Sequence, residues 1–381
     1  MASLRDRLKR IQKSQKTEAH KIIPREEYHD LLEKGWEPCG YKVYKKETVI
    51  NPEFKYGAVS KRLPEALSIL IPDLQEQPLP SLEDFLFFDL ETTGLSGGAG
   101  TVAFLAAFAG ITCSEASSND AGCKNTLCNE CNLRVTQYLL LDYPGENDFL
   151  LNALSEFNKK TPVIVSYNGK CFDSQILKTR CLMNRIKTPE YRHVDLLHPA
   201  RRLWKNIIKD CGQISIESKI LKRERLDDTP GSLAPDIWFE FLKTGRTDRL
   251  TGICDHNKDD IKGLVSIFFA MILIAENPHC GIFQFDLERL ALRWRKYLNL
   301  RKTVFRGEDI LRKTGNNLLR LAAEKNYPRA VYVYIYDLIK IKNFKEAYKF
   351  VKEGLRLFDE STVWHQRLLR RKERLEKIIS R

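Results

Sequence analysis

No apolar run in this 381-residue chain is long enough to span a bilayer. The longest, LVSIFFAMILIA (Leu264 to Ala275) and TVAFLAAFAGI (Thr101 to Ile111), are core-sized, and no apolar segment follows the basic start MASLRDRLKRIQKSQK, as a secretory signal would require. A membrane-spanning protein is therefore not expected, and a cytoplasmic location is. Cysteine is too dilute for a disulfide scaffold: ten residues are spread over the chain, and Cys171, Cys181 and Cys254 sit in apolar contexts, as reduced thiols do. Acid is scarce in one region only. Residues 282–381 hold about 25 Lys or Arg against about 12 Asp or Glu, while 1–281 hold about 38 of each, so the net charge of +13 lies in the last hundred residues. A basic module appended to a neutral one suits a polyanion, most often nucleic acid; a solvated lysine-rich surface would look the same in composition. Arg293, Arg295, Lys296, Arg301 and Lys302 cluster where they could continue a substrate track.

A hydrophobic fraction of 43% can fill real cores, and the length allows more than one domain. Residues 1–80 read as an N-terminal arm and linker: a charged helical start, a small hairpin or extended arm over WEPCGYKVYKKETVINPEFKYG, then the proline-bearing LIPDLQEQPLPSLEDF. From Phe85 the pattern becomes strands at 85–91, 101–110, 133–141, 162–167 and about 191–196, with helices at 147–159, 171–184 and about 253–276. This predicts an α/β domain over 81–278 with a mixed five-stranded sheet flanked by helices. Residues 282–381 read as an all-α domain. There NFKEAYKFVKEGLRLFDE sets Ala347 and Gly354 where helix pairs pack closely and resembles the second half of a tetratricopeptide repeat, with one unit visible at about 328–361.

Three acid-bearing motifs stand out. In FLFFDLETTGLSGGAG, the run Phe85 to Phe88 reads as a strand buried on both faces, yet Asp89 and Glu91 follow, two apart and hence on one face. Two like charges that close repel unless a cation or proton lies between them. In VIVSYNGKCFDSQIL, Asn168 can close the turn after a buried strand and Asp173 falls in the first turn of a helix, where capping alone would explain both. In DHNKDDIKGLVSIFF, His256 and Asp260 stand four apart and share a helix face.

The order of these motifs (strand end, strand-to-helix turn, late helix) resembles the DEDD exonucleases of the ribonuclease H-like fold. Their D-x-E motif is matched by Asp89 and Glu91, their N-x(2,3)-F-D motif by Asn168, Phe172 and Asp173, and their last motif, an acid after a Tyr or His, by His256 and Asp260. DLETTGLSGGAGTVAFL, DLLHPARRLW, DDTPGSLAPDIWFEFLKTG and HNKDDIKGL are further similar to the YprB-type (mitomycin repair factor) exonuclease family, which joins such a domain to tetratricopeptide-like helices. That resemblance implies a 3′–5′ exonuclease using two Mg²⁺ or Mn²⁺ ions, with DNA in repair favoured over RNA as substrate and a helicase or other protein as a partner of the C-terminal helices. It implies that Asp89, Glu91, Asp173 and Asp260 hold the metals and that His256 takes the proton of the attacking water. Thr92 and Leu95, with Asn168 and Phe172, would line the substrate site. One departure is plain: His256 lies four residues before Asp260, the place Tyr takes in one subclass, whereas the His subclass spaces it five. Orientation of the water is thus a second role open to His256.

Two features stand outside the resemblance. Cys113, Cys123, Cys128 and Cys131, in the insert at 112–131, have the ligand count for structural zinc, or belong to a flexible reduced loop. Asp195 is a tempting fifth acid, read here as a structural group beside the site. A catalytically idle nucleic-acid adaptor is the alternative from another class, although an idle site has no reason to hold four like charges together.

Overall fold

The computed structural model describes residues 28–50, 59–60, 63–75, 78–94, 98, 100–113, 127–128, 131–158, 162–225, 228–279, 281–300 and 308–380. The charged N-terminal segment, Leu95, Cys123, Arg301 and Lys302 lie outside these residues.

The predicted strands form as β4 (Phe85–Thr92), β5 (Ala103–Cys113), β7 (Cys131–Leu140), β8 (Val163–Ser166) and β9 (Arg192–Asp195). The sheet is larger than the five strands expected. A hairpin of β1 (Glu37–Gly40) and β2 (Val43–Ile50) adds to β7, giving seven strands in the order β1-β2-β7-β5-β4-β8-β9. At the start of β2, Val43 and Tyr44 are both buried, which a free arm could not achieve. β8 and β9 run parallel to β4 and the other pairings are antiparallel, so β4 is an interior strand at which the antiparallel part of the sheet meets the parallel part. A separate two-stranded ladder pairs β3 (Val59–Ser60) with β6 (Leu127–Cys128).

Both faces of β4 are covered. Leu86, Phe88 and Leu90 enter a core with α3 (Glu146–Asn158), α4 (Asp173–Met183) and α7 (Ala234–Thr244). Phe85 and Phe87 enter the opposite core against Phe268 of α8 (Asp248–Glu276), with ring centroids 4.9 and 5.5 Å away. The apolar half of α8 thus caps the start of β4, and its polar half lies over the acid-bearing end. No helix among the described residues is long and apolar enough to cross a membrane.

The proline-bearing segment expected as a linker is packed instead. Ile71, Leu74 and Leu82 are fully buried, as are residues of the short α2 (Leu67–Leu70) before them, because a strand face as apolar as that of β4 needs cover from several directions. The C-terminal helices are α9 (Leu287–Leu300), α10 (Glu308–Glu324), α11 (Pro328–Lys340), α12 (Phe344–Leu357) and α13 (Val363–Ile379). α9 shares the core of the sheet: Leu290, Ala291 and Trp294 are buried with Leu67 and Trp204, and Ser68 and Tyr297 join hydroxyls at 3.0 Å. A third core unites α11, α12 and α13 around Ala347, Val351 and Leu368. Gly354 has no room for a side chain against Leu368, which accounts for a glycine inside a helix.

Candidate active site

Asp89 and Glu91 project from the end of β4 onto the face that α8 covers, as their odd register with Phe85 and Phe87 requires. Asp173 opens α4 after the turn that leaves β8. That turn needs Asn168 at φ 65 and Gly169, where a Cβ would collide with Ser166 and stand 2.9 Å from the Asp173 carboxylate. Asp260 and His256 descend from α8, their rings and carboxylate one turn apart on the same face.

Elements far apart in sequence therefore bring four carboxylates to one place, and their titration reflects it. Burial, then the charges of Asp260, Asp173 and Glu91, holds Asp89 well above the usual carboxylate range. Burial pushes Glu91 up to about 8; His256 pulls the other way, and Asp260, Asp173 and Asp228 add to the rise. Asp173 is raised to about 7, chiefly by burial, despite a backbone hydrogen bond that favours its charge. Asp260 alone is lowered, because His256 and Arg225 outweigh the cost of its burial.

His256 is held at both ring nitrogens. Nδ1 lies 2.6 Å from Asp228 Oδ1, and Nε2 lies 3.1 Å from Asp260 Oδ2 and 4.0 Å from Glu91 Oε1. Burial disfavours the charged ring, but Asp260, then Asp228 and Glu91, lift it to about 9. Gly231 packs on the ring so closely that a Cβ there would stand 2.7 Å from Nε2. Glu91, His256 and Asp260 bring ligand atoms within 4.8 Å of one another.

Several supporting residues had no role in the sequence reading. Asn257 donates from Nδ2 to Asp89 Oδ2 at 2.7 Å, and Gln137 of β7 donates to the Asn257 oxygen at 3.1 Å and to the Cys254 carbonyl at 2.8 Å. Arg225 donates to Asp260 Oδ1 at 2.7 Å while Glu217, on α6 (Gln213–Lys219), grips the same guanidinium at 2.6 and 3.0 Å. Gly263 makes this possible, since any Cβ there would overlap the Glu217 carboxylate. Signals existed for two of them. Asp228 stands in DDTPGS and Gly263 in HNKDDIKGL, where a glycine inside a long helix asks for a close neighbour.

The remaining expected residues are placed as follows. Thr92 is buried and donates its hydroxyl to the Gly94 carbonyl at 3.0 Å, within the turn after β4. Asn168 is exposed at the mouth of its turn, whereas Phe172 packs against the core beneath α4. Asp195 accepts the backbone N–H groups of Asn168, Lys170 and Leu197 at 2.8, 3.1 and 3.0 Å, so it braces the turn that carries Asp173. Cys113 and Cys131 are backbone partners at the end of the β5–β7 ladder, and Cys128 lies in β6. Cys181 and Cys254 are buried thiols, but Cys171, expected in an apolar setting, is exposed at the start of the α4 turn. Of the basic cluster after the sheet domain, Arg293 donates to the Ile69 carbonyl and Arg295 is forked onto Asp337 at 2.6 and 2.7 Å. These two hold helices together and do not form a free track; Lys296 is exposed. A cleft of about 370 Å³ opens beside the acids, lined by Asp89, Tyr167, Gln213, Ile214 and Asp260.

Residues 86–272, which hold nearly all of β4 with its acids and most of the long helix laid across them, match the model of the RNase_H superfamily. Similarity extends to a particular relative, the protein YprB of Bacillus subtilis (strain 168), itself described as uncharacterized. It is 38% identical over 191 residues, which are 49% of this chain and 42% of that protein. The chain thus spans less than half the length of the relative it matches.

Proposed function

We propose that the chain is a divalent-metal-dependent 3′–5′ exonuclease of the DEDD type, with DNA favoured over RNA as its substrate. The observation that supports this best is the convergence of buried acids: Asp89, Glu91 and Asp173 are each raised chiefly by burial and further by neighbouring carboxylates, an arrangement that costs stability unless cations balance it. An all-carboxylate donor set with a cleft beside it fits Mg²⁺ or Mn²⁺, hard cations that prefer oxygen, and Asp89, Glu91, Asp173 and Asp260 are the residues that would hold them. Bound there, such ions supply charge to a scissile phosphate and a water of lowered pKa.

The protein's own residues do the rest. Asp228 fixes the His256 ring through Nδ1 and aims Nε2 at the acids. The acids keep the ring charged in the metal-free fold, and with Asp260 and Glu91 neutralised by cations Nε2 would be free to take a proton from water. Asn257 sets one Asp89 oxygen, leaving the other for a cation. Arg225, locked by Glu217, fixes Asp260 from behind. The helices after α9 are read as a tetratricopeptide-like module, supported by the packing of α11 on α12 and the close approach of Gly354 to Leu368 of α13.

The test is digestion of end-labelled single-stranded, duplex and gapped DNA and matching RNA with Mn²⁺, comparing wild type with Asp89→Asn and Asp173→Asn. Loss of metal-dependent shortening in both variants is expected. Activity within a few-fold of wild type, with contaminants excluded, would refute the site.

A further inference from the structure

The surplus of positive charge in the C-terminal region has a definite address. On α13, Arg367 and Arg371 stand one helical turn apart, and both lie on aromatic rings rather than on carboxylates. The Arg367 guanidinium is 4.9 Å from the Trp364 ring centre and 5.7 Å from that of Tyr332. Arg371 is 5.1 Å from Tyr332 and 5.8 Å from Tyr336, and its Nη2 donates to the Tyr332 hydroxyl at 3.0 Å. Lys340, the next basic residue along α11, lies 5.0 Å from the Tyr336 ring. Among the described residues no ion pair is formed by Arg367 or Arg371. Nearby acids are engaged elsewhere: Asp337 with Arg295, Glu346 with Asn343, and Glu376 with Tyr348.

Aromatic neighbours have a specific effect on arginine. A guanidinium held over aromatic rings is attracted by them and restrained, so a long side chain loses less entropy on binding, and N–H donors remain available, Arg371 giving one to the Tyr332 hydroxyl. Side chains four apart on a helix are separated by about 6 Å along its axis, comparable with the step between phosphates of an extended strand. Tyr336, 41% exposed, adds a ring beside the arginines on which a base can stack.

We propose that this face of α11 and α13, built from Tyr332, Tyr336, Lys340, Trp364, Arg367 and Arg371, binds a single strand of nucleic acid, with the two arginines on its phosphates. An acidic peptide would use the same charges but has no planar bases for the rings. The choice of nucleic acid as ligand rests on the nuclease reading of the sheet domain.

The experiment measures fluorescence anisotropy of a labelled 20-nucleotide oligo(dT) on the full chain carrying Asp89→Asn, so that the probe survives, across a sodium chloride series. Adding Arg367→Ala with Arg371→Ala should weaken binding about 10-fold at 100 mM salt and lower the salt slope by about 1.4, at about 0.7 per phosphate contact. Arg367→Lys with Arg371→Lys keeps the charge but not the planar fork and should fall between. Arg249→Ala, which removes a cation paired with Glu240 on another element, is the charge control and should change affinity less than two-fold. Unchanged affinity and slope in the double Ala variant overturn the proposal, as does equal displacement of the probe by poly-glutamate or tighter binding of a duplex. Hydrolysis is assayed separately on the wild type, so a failure to cut bears on the nuclease reading alone.

Discussion

Replacing Glu91 with Gln removes one charge from the buried acid cluster while keeping its shape, and the structure sets the size of the effect. In the metal-free fold Glu91 titrates at about 8 instead of 4.5. The unfolded chain releases that proton near 4.5, so between the two values the unfolded state is favoured increasingly as pH rises, and the cost is complete above pH 8. A displacement of that size is worth roughly 4–5 kcal/mol at pH 8.5, and the neutral amide is spared it. In EDTA, Glu91→Gln should therefore melt above wild type, by roughly 10 °C at pH 8.5 for a domain of this size and by little at pH 5. Mn²⁺ should reverse the order, since wild type gains stability from ligand binding and the variant, lacking a ligand, gains less. Differential scanning calorimetry at pH 5, 7 and 8.5, with EDTA or Mn²⁺, reads both effects. A variant that melts at or below wild type in EDTA at pH 8.5, or a gap that does not widen with pH, would refute the electrostatic account of the cluster.

His256→Ala should lower turnover by roughly 10²–10⁴-fold, the span for a lost general base, and Asp228→Asn should lower it less while shifting the pH–rate profile, because the ring remains but its orientation and charge change; equal kinetics for Asp228→Asn and wild type would remove Asp228 from the account. Asn257→Leu leaves Asp89 and Gln137 each short of a partner in the interior and should cost about 1–3 kcal/mol, measured by urea unfolding in EDTA. Gly263→Ala should overpack the Glu217 carboxylate, cost about 1–3 kcal/mol and reduce activity through Arg225 and Asp260; an Ala variant as stable and active as wild type would show that α6 moves away freely.

Much of the sheet domain could be read from the chain because its signals are local. A run such as FLFFDLET carries strand, double burial and acid placement within one window, and the α8 pattern carries core and site at once. The hairpin of β1 and β2 was harder, since its place at the edge depends on register with β7, nearly a hundred residues away. LIPDLQEQPLPSLEDF shows the limit of composition: its prolines announce turns correctly, but nothing in the segment tells that Ile71, Leu74 and Leu82 have a core to enter. The same holds in the site. Acids declare themselves by spacing, whereas Gln137, Asn257 and Arg225 gain their meaning only from the side chain that folding brings opposite.

Because α9 is seated in the core of the sheet, the chain has no seam at Gly281 along which it could be divided. A cut there would strip Leu290, Ala291 and Trp294 from Leu67 and Trp204, and would take away the Gln284 carbonyl that the Trp204 indole N–H meets at 2.9 Å. Removing the last hundred residues to separate binding from cutting would thus report on unfolding. A nick at that turn should leave two fragments that travel together and melt in one step, and whatever the C-terminal helices hold is held at a fixed bearing from the acids.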